Sequence, residues 1–237
     1  MNFFSRKKHY ETFIEVFEPF ITIAGGGDLA DLVDVLYGRF HIENEVYNRE
    51  LQRVLLFDYF KNVVIPHKIA VLSAGMEMSR TGILGKFLPE AGDKKEFLNN
   101  LWEHDLSKFS AAEATGYLNY DRATGKGKSE FEAAWHHHKN HNPHHPEYWF
   151  NPNREGINEP IAMPALYVLE MVCDWIGAGK TYGSSLEEWL PKNITKFRFG
   201  QSATLVKDVL NDLNVKTNLY QTGFQLRENV LEMKVLK

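Results

Sequence analysis

Histidine is unusually frequent in this 237-residue chain, which has ten histidines and one cysteine. Six of the ten lie in one short segment, at His136, His137, His138, His141, His144 and His145. Sparser candidates flank the segment, namely His67, the dipeptide His104-Asp105 and Asp174. Neutral imidazoles and ionised carboxylates are complementary ligands for a divalent ion. These residue types favour a metal site of nitrogen and oxygen ligands, and the single Cys173 excludes a multi-cysteine zinc site.

The surroundings of Asp174 strengthen this interpretation. Asp174 lies in the apolar segment MVCDWI, four residues after Glu170. A carboxylate buried among such neighbours must be paired or bound to a metal, since an uncompensated buried charge is costly. Glu170 either supports such a site or faces solvent. Lys108 follows His104 by four residues and shares its face if the helix continues.

Simpler structural roles remain open for several candidates. His104 near the end of a helix also suits the helix dipole, and His67 after Pro66 could be a buried, hydrogen-bonded histidine. Successive helix residues point about 100° apart, so residues 136–138 cannot all face one site. Lys108, read singly, is typical of a surface lysine.

The order of the sparse residues resembles a known family. His67, His104-Asp105 and Asp174, with Lys108 completing the pattern HD-x-x-K, look like the HD-domain metal-dependent phosphohydrolases. Two histidines inserted before the final aspartate resemble the two-metal branch of that family, H…HD…H…H…D. The motifs HDLSKF, NPHH and EMVCDW are also similar to a poorly characterised family of phages and bacteria.

The resemblance implies specific roles. The implied metal ligands are His67, His104, Asp105, His138, His144 and Asp174. Asp105 would bridge one or two divalent transition ions, of Mn, Co, Fe or Zn. Lys108 would bind phosphate, and His137 or His145 would donate a proton, although these two histidines also compete for the ligand positions.

The reaction implied by the resemblance is hydrolysis of a phosphate ester, with a nucleotide or related metabolite as substrate. Two alternatives stay open. A di-iron oxygenase of the inositol-oxygenase type has the same ligand order, and a non-catalytic, metal-stabilised interaction protein would need the same ligands. Release of phosphate or uptake of oxygen separates these classes.

Composition limits the remaining classes. The 27 basic and 31 acidic residues give a net charge of −4, and 43% of residues are hydrophobic, which excludes intrinsic disorder and argues against nucleic acid as a partner. No run approaches the roughly 18 apolar residues of a membrane span. The first residues lack the pattern of a secretory signal. We therefore expect a cytoplasmic protein with a small-molecule partner, of undetermined oligomeric state.

Apolar residues recur with the period of a helix, which predicts an all-α fold of one domain. The family resemblance implies that this fold is an HD-domain-like helical bundle. The expected organisation is an N-terminal helical extension over 1–45, a metal-binding core over 46–200 and a C-terminal extension over 201–237. Predicted helices cover 43–80 with a break at Pro66, 93–107, 129–139, 163–178, 184–191 and 202–215.

Three further local patterns complete the sequence-based picture. Ser110 and Glu113 form the spacing of a capping box at a helix start. The tail over 218–237 is predicted to form strands. The sequence GAGKT at 177–181 is similar to the end of a phosphate-binding loop, but the helix predicted before it argues against such a loop, which follows a strand.

Overall fold

The computed structural model describes residues 55–150, 161–183, 185–217, 222–227 and 230–235. The chain divides into two compact units at Asn62 and Val63, and every candidate site residue belongs to the unit that begins at Val63. The predicted extension over 1–45 lies outside the described residues. Among the described helices, none is long and apolar enough to cross a membrane.

The described part of this unit contains eight α-helices and two strands, which confirms the all-α bundle. The helices are α1 (Ile65–Arg80), α2 (Ile83–Phe87), α3 (Ala91–Glu103), α4 (Ala114–Asn119), α5 (Lys128–His141), α6 (Ala165–Tyr182), α7 (Leu186–Asn193) and α8 (Ala203–Thr217). Three-ten turns cover Leu106–Phe109, Pro146–Trp149, Ile194–Lys196 and Gly200–Ser202.

Pro66 lies where the regular helix is interrupted. A π-helical turn, Phe60–Val64, precedes α1, and Pro66 occupies the first turn of that helix. The first turn tolerates proline because its N–H groups have no partner within the helix. His67 on α1 is therefore close to the start of a new helix.

The helices α1 and α6 form the main packed pair, and Gly177 allows their close approach. A β-carbon at Gly177 would lie 2.6 Å from Val71 Cγ2 and 2.9 Å from the backbone nitrogen of Val71. No larger residue fits there unless the helices move apart. The sequence at 177–181 lies inside α6, so it is a helical packing segment and not a phosphate-binding loop.

The hydrophobic core joins α1, α3, α6 and α8. The core residues of α8 recur with helical spacing, at Val206, Val209, Leu210 and Leu213. Cys173 lies in the same core, fully buried, with its thiol 3.6 Å from Met78 Sδ. The segment after residue 200 thus contributes directly to the packing that holds the site.

The two strands confirm the prediction for the tail. β1 (Thr222–Arg227) pairs antiparallel with β2 (Val230–Val235), and Arg227 lies opposite Val230. Both strands contact α8. They lie far from the candidate ligands in the sequence, and no candidate site residue comes from them.

Two local patterns of the sequence do not hold in the structure. Helical spacing groups Leu98 and Trp102 with the apolar residues of α3, but only Phe97 and Leu101 of that helix are buried, and Trp102 is 72% exposed. The capping box also fails, because α4 begins at Ala114 without a side-chain cap and Glu113 makes other contacts.

Candidate metal centre

The dipeptide His104-Asp105 is presented by a tight turn after α3. The helix ends at Glu103, and Asp105 adopts a left-handed conformation with φ 57°. Among the described residues, Asp105 is the only non-glycine residue with positive φ. The Lys68 ammonium holds this turn, because it donates to the carbonyl oxygens of His104 and, at 3.2 Å, Trp102. Such strained conformations persist where the surroundings fix them, often at functional sites.

Lys108 follows the turn on a three-ten segment, so the predicted continuation of the helix is wrong. Its Nζ lies 2.7 Å from Asp105 Oδ2, and its side chain is 12% exposed. Burial lowers the pKa of Lys108, but the charge of Asp105, the hydrogen bond to Asp105 and the nearby Tyr182 together outweigh burial and raise the pKa above the usual value. Asp105 therefore has one permanently cationic neighbour.

A first group of ligand atoms comes from α1, the turn and α6. His67 Nε2 lies 3.0 Å from Asp174 Oδ1 and 3.4 Å from His104 Nε2. His104 Nε2 lies 3.5 Å from the same Asp174 oxygen. Asp105 Oδ2 faces this group, 3.5 Å from His67 Nε2 and 3.6 Å from His104 Nε2. We call this group the first position.

A second group lies on the other side of Asp105. One ligand atom each from Asp105, His138, His144 and His145 lies within 4.8 Å of the others. Asp105 Oδ1 is 3.3 Å from His138 Nε2 and 3.5 Å from His144 Nε2. We call this group the second position. The two oxygens of Asp105 therefore face two different positions, as a bridging carboxylate requires.

The spacing of these atoms fits a bound ion. Ligands bonded to one ion at about 2.1 Å lie roughly 3.0 to 3.4 Å from one another in tetrahedral or octahedral arrangements. Buried polar atoms without a partner are rare and cost about 1–3 kcal/mol each. Three such atoms belong to the second position, namely Asp105 Oδ1, His144 Nε2 and His145 Nε2. These groups could hold a metal ion.

Glu170 orients one histidine of each position. Its Oε1 lies 3.1 Å from His104 Nδ1 and 3.2 Å from His144 Nδ1. An ionised carboxylate only accepts hydrogen bonds, so both Nδ1 atoms carry the proton and both Nε2 atoms are left for an ion.

Glu113 acts in the same way on α5, but it supports the second position alone. Its Oε2 lies 2.8 Å from His138 Nδ1, and its Oε1 lies 2.7 Å from His137 Nδ1. This pairing explains why the capping box does not form: the carboxylate is fully buried against two imidazoles and cannot reach back to the start of α4.

The charges around Asp105 keep the centre's carboxylates ionised. Burial raises the pKa of Asp105, but the charges of His104 and Lys108 hold it well below its usual value. Burial lowers the pKa of His104, yet the charge of Asp105 and the hydrogen bond to Asp174 raise it to about 10. Burial raises the pKa of Glu170, but its hydrogen bonds to His104 and His144 outweigh this effect and lower the pKa to about 2.

Comparison with known proteins identifies the family. A family described as a family of unknown function, DUF5662, matches residues 57–218, about two thirds of the chain. The chain belongs to DUF5662. Searches of the curated proteins and of the solved structures return no significant match. The DUF5662 match includes all candidate ligands, from His67 to Asp174, as well as Glu113 and Glu170.

The structure brings together most residues that the sequence singled out. The two positions contain all six residues named as ligands, His67, His104, Asp105, His138, His144 and Asp174, and His145 joins them. Lys108 contacts Asp105. His137 lies outside both positions: its ring is 32% exposed, pairs with Glu113 and stacks on His141 at 3.8 Å.

Sequence reasoning placed Glu113 in a capping box but not in the site, and it found no signal for Lys68. Glu113 was hidden by a plausible local pattern, the capping box. Lys68 follows a candidate ligand directly, but its target is a pair of carbonyl groups 34 and 36 residues away. For Glu170 the spacing of four residues from Asp174 gave a usable signal, and its burial rules out the solvated alternative.

Only a few side chains of the centre reach solvent. Most are almost fully buried, whereas Asp174 is 16% exposed, Lys108 is 12% exposed and His145 is partly exposed. The ring of Tyr182, 60% exposed, stacks on His67 at 6.1 Å between centroids. A small molecule would therefore approach the first position along Asp174, Lys108 and Tyr182, which we call the solvent edge.

Proposed function

We propose that this DUF5662 protein is a metal-dependent phosphohydrolase with two divalent transition ions bridged by Asp105. The observation that carries the proposal is the division of the Asp105 oxygens between two groups of ligand atoms, with the Lys108 ammonium 2.7 Å from one of them. The positive charges of two adjacent ions and a lysine complement the negative charge of a phosphate group.

The chemistry of such a centre is general. When bound, divalent ions supply Lewis acidity and lower the pKa of a bound water toward neutrality. Lys108 stays cationic and offsets negative charge that builds up on the phosphoryl oxygens. Asp105 holds Lys108 in place, and the buried histidines and carboxylates keep bulk water away from the reacting groups.

The solvent edge supports a phosphate ester with a planar group. Lys108 lies at this edge and can meet the phosphate. The exposed ring of Tyr182 lies beside it and offers a flat apolar surface, as a nucleotide base needs. A nucleotide is therefore the substrate class that the edge fits best.

The test uses full-length protein purified without a histidine tag. Protein stripped with a chelator is reloaded with Mn²⁺, Co²⁺, Fe²⁺ or Zn²⁺ and assayed on a panel of nucleotides and simple phosphate esters. We expect metal-dependent phosphate release. Lys108→Met should lower kcat by about 10²-fold or more while metal content stays unchanged. Lys128→Met, on an exposed lysine, is the matched control and should keep full activity.

Two results would overturn the proposal. Absence of phosphate release across the panel, combined with substrate-dependent oxygen uptake by the iron-loaded protein, would assign an oxygenase. Metal binding that raises Tm without either activity would assign a metal-stabilised interaction protein.

A further inference from the structure

We propose that His145 is a metal ligand, so that the second position is a site of three imidazoles and one carboxylate oxygen with a metal preference different from that of the first. The inference rests on the metal centre of the proposed function, and it concerns metal binding only. It gives His145 a role in binding instead of proton transfer.

The position of His145 supports direct coordination. One of its ring nitrogens lies within 4.8 Å of ligand atoms of Asp105, His138 and His144. Its Nε2 is buried and has no hydrogen-bond partner. The ring lies 4.3 Å from that of His144 and 4.8 Å from that of His138, between centroids. An ion bound beside these neighbouring ligands would give the buried nitrogen a partner.

The backbone explains how two successive histidines reach one ion. Pro143 and Pro146 bracket the pair, and the proline at 146 favours the extended conformation observed at His145, φ −85° and ψ 130°. Trp149 Nε1 donates to the carbonyl oxygen of Pro143 at 2.7 Å. The His145 amide donates to the carbonyl oxygen of Asn142 at 3.0 Å. The segment is thus fixed before an ion binds.

Trp135 limits the freedom of the His145 ring from the α5 side. The two rings meet edge to face at 5.2 Å between centroids. The His145 residue is partly exposed, but its Nε2 is buried. A histidine that donates protons to a substrate presents a ring nitrogen to solvent, whereas this buried nitrogen lies inside the protein, and its location favours coordination.

The donor sets of the two positions differ in chemistry. The first position offers two imidazoles, Asp174 and Asp105 Oδ2, whereas the second offers three imidazoles and Asp105 Oδ1. Imidazole nitrogen suits zinc, iron, cobalt and nickel, while oxygen-rich sets suit manganese and magnesium. We therefore expect the second position to bind zinc more tightly and to fill first.

The test is a zinc competition titration of chelator-stripped, full-length protein against a chromophoric chelator. The wild-type protein should bind two equivalents with different affinities. His145→Gln should weaken the tighter equivalent at least tenfold and leave the weaker one unchanged. His141→Gln, on an exposed histidine of α5, is the control and should change neither.

A second variant keeps the test informative if His145→Gln does not fold. His145→Glu retains a ligand atom but replaces nitrogen by oxygen, so it should bind two ions and shift the preference of the tighter site from zinc toward manganese. Circular dichroism of the stripped variants checks their fold. Unchanged zinc affinity in folded His145→Gln, or unchanged metal preference in folded His145→Glu, would overturn the inference.

The outcomes separate this inference from the proposed hydrolase activity. Weakened zinc binding in His145→Gln, together with no phosphate release by the wild type, would support the ligand and reject the activity. Metal-dependent phosphate release with unaltered zinc binding in folded His145→Gln would support the activity and reject the ligand.

Discussion

The two positions share Asp105 but are built in different ways. The first is assembled from the core helices α1 and α6 and the turn after α3, and it depends on the close approach of α1 and α6 at Gly177. The second is assembled from the last turn of α5 and the proline-bracketed segment that follows, held by buried carboxylates. The first should therefore respond to changes in packing, and the second to changes in hydrogen bonding.

The largest effect should come from the residue that both positions share. Asp105→Asn preserves the left-handed turn, which asparagine tolerates, but removes the bridging charge. We expect loss of both bound ions after desalting and a fall of about 10³-fold in phosphate release, measured by metal analysis and enzyme assay.

Asp121→Asn is the control for this change, since Asp121 lies in an exposed turn away from the centre and its side chain accepts hydrogen bonds from Thr124 and Ala123. Retention of one full equivalent of metal by Asp105→Asn would contradict a bridging role.

The next prediction concerns a change in helix packing that should weaken metal binding at the first position and not at the second. Gly177→Ala introduces a β-carbon against the backbone of Val71, and overpacking of this kind costs about 1–3 kcal/mol. The unfolding midpoint should fall by several degrees, and zinc titration should show weaker binding at the first position with the second preserved. Gly92→Ala, at a site with open space in α3, is the control and should be neutral. Equal weakening of both equivalents would show that the positions are not independent.

The supporting carboxylates allow a finer comparison. Glu170 holds a histidine of each position, whereas Glu113 holds a ligand of the second position alone. Glu170→Ala should weaken both zinc equivalents and Glu113→Ala only one, each by about 10- to 100-fold. Zinc competition measures both. Identical binding curves for the two variants would refute the assignment.

The smallest effect concerns pH. Below pH 6.5 protonated His104 stabilises the metal-free fold fully, and this contribution is lost as pH rises through its folded pKa of about 10. Ionised Glu170 stabilises the fold fully above pH 4.5, and this contribution to stability is lost as the pH falls toward its folded pKa of about 2. The Tm of chelator-stripped protein should therefore decline from pH 6.5 upward. The Tm of zinc-loaded protein should not decline over the same range, because fewer protons compete with the ion for the ligand atoms as the pH rises. Parallel Tm curves would contradict this.

Several features followed from the sequence. Helical periodicity predicted the bundle, since most buried positions recur at the spacing of one helix face. The candidate ligands were named because their order resembles the HD-domain pattern. The chemistry of the sequence supports one of them directly, since Asp174 in an apolar helix needs a partner wherever that partner lies. The position of His145 could not be settled, because the rotation of neighbouring side chains depends on the two prolines and on Trp149.

Other features depend on tertiary contacts that local patterns do not contain. Glu113 satisfies the spacing of a capping box, but burial against two imidazoles outweighs a cap that is worth about 1 kcal/mol. The helix pattern of α3 continues past Glu103, yet Lys68 binds the carbonyl groups at its end and a left-handed residue follows. Both differences occur at the candidate centre, where long-range contacts outweigh the local preference for a helix cap or for a continued helix.

The chain's only thiol lies next to a candidate ligand. Cys173 precedes Asp174 in the buried part of α6, and burial raises its pKa well above the usual value. The thiol can react with a disulfide reagent only when α6 moves away from the core, so its reaction rate reports how often this helix opens. An ion bound at the first position would tie Asp174 to α1 and so slow this opening. The rate at which Cys173 is labelled in the wild-type protein would then report metal occupancy.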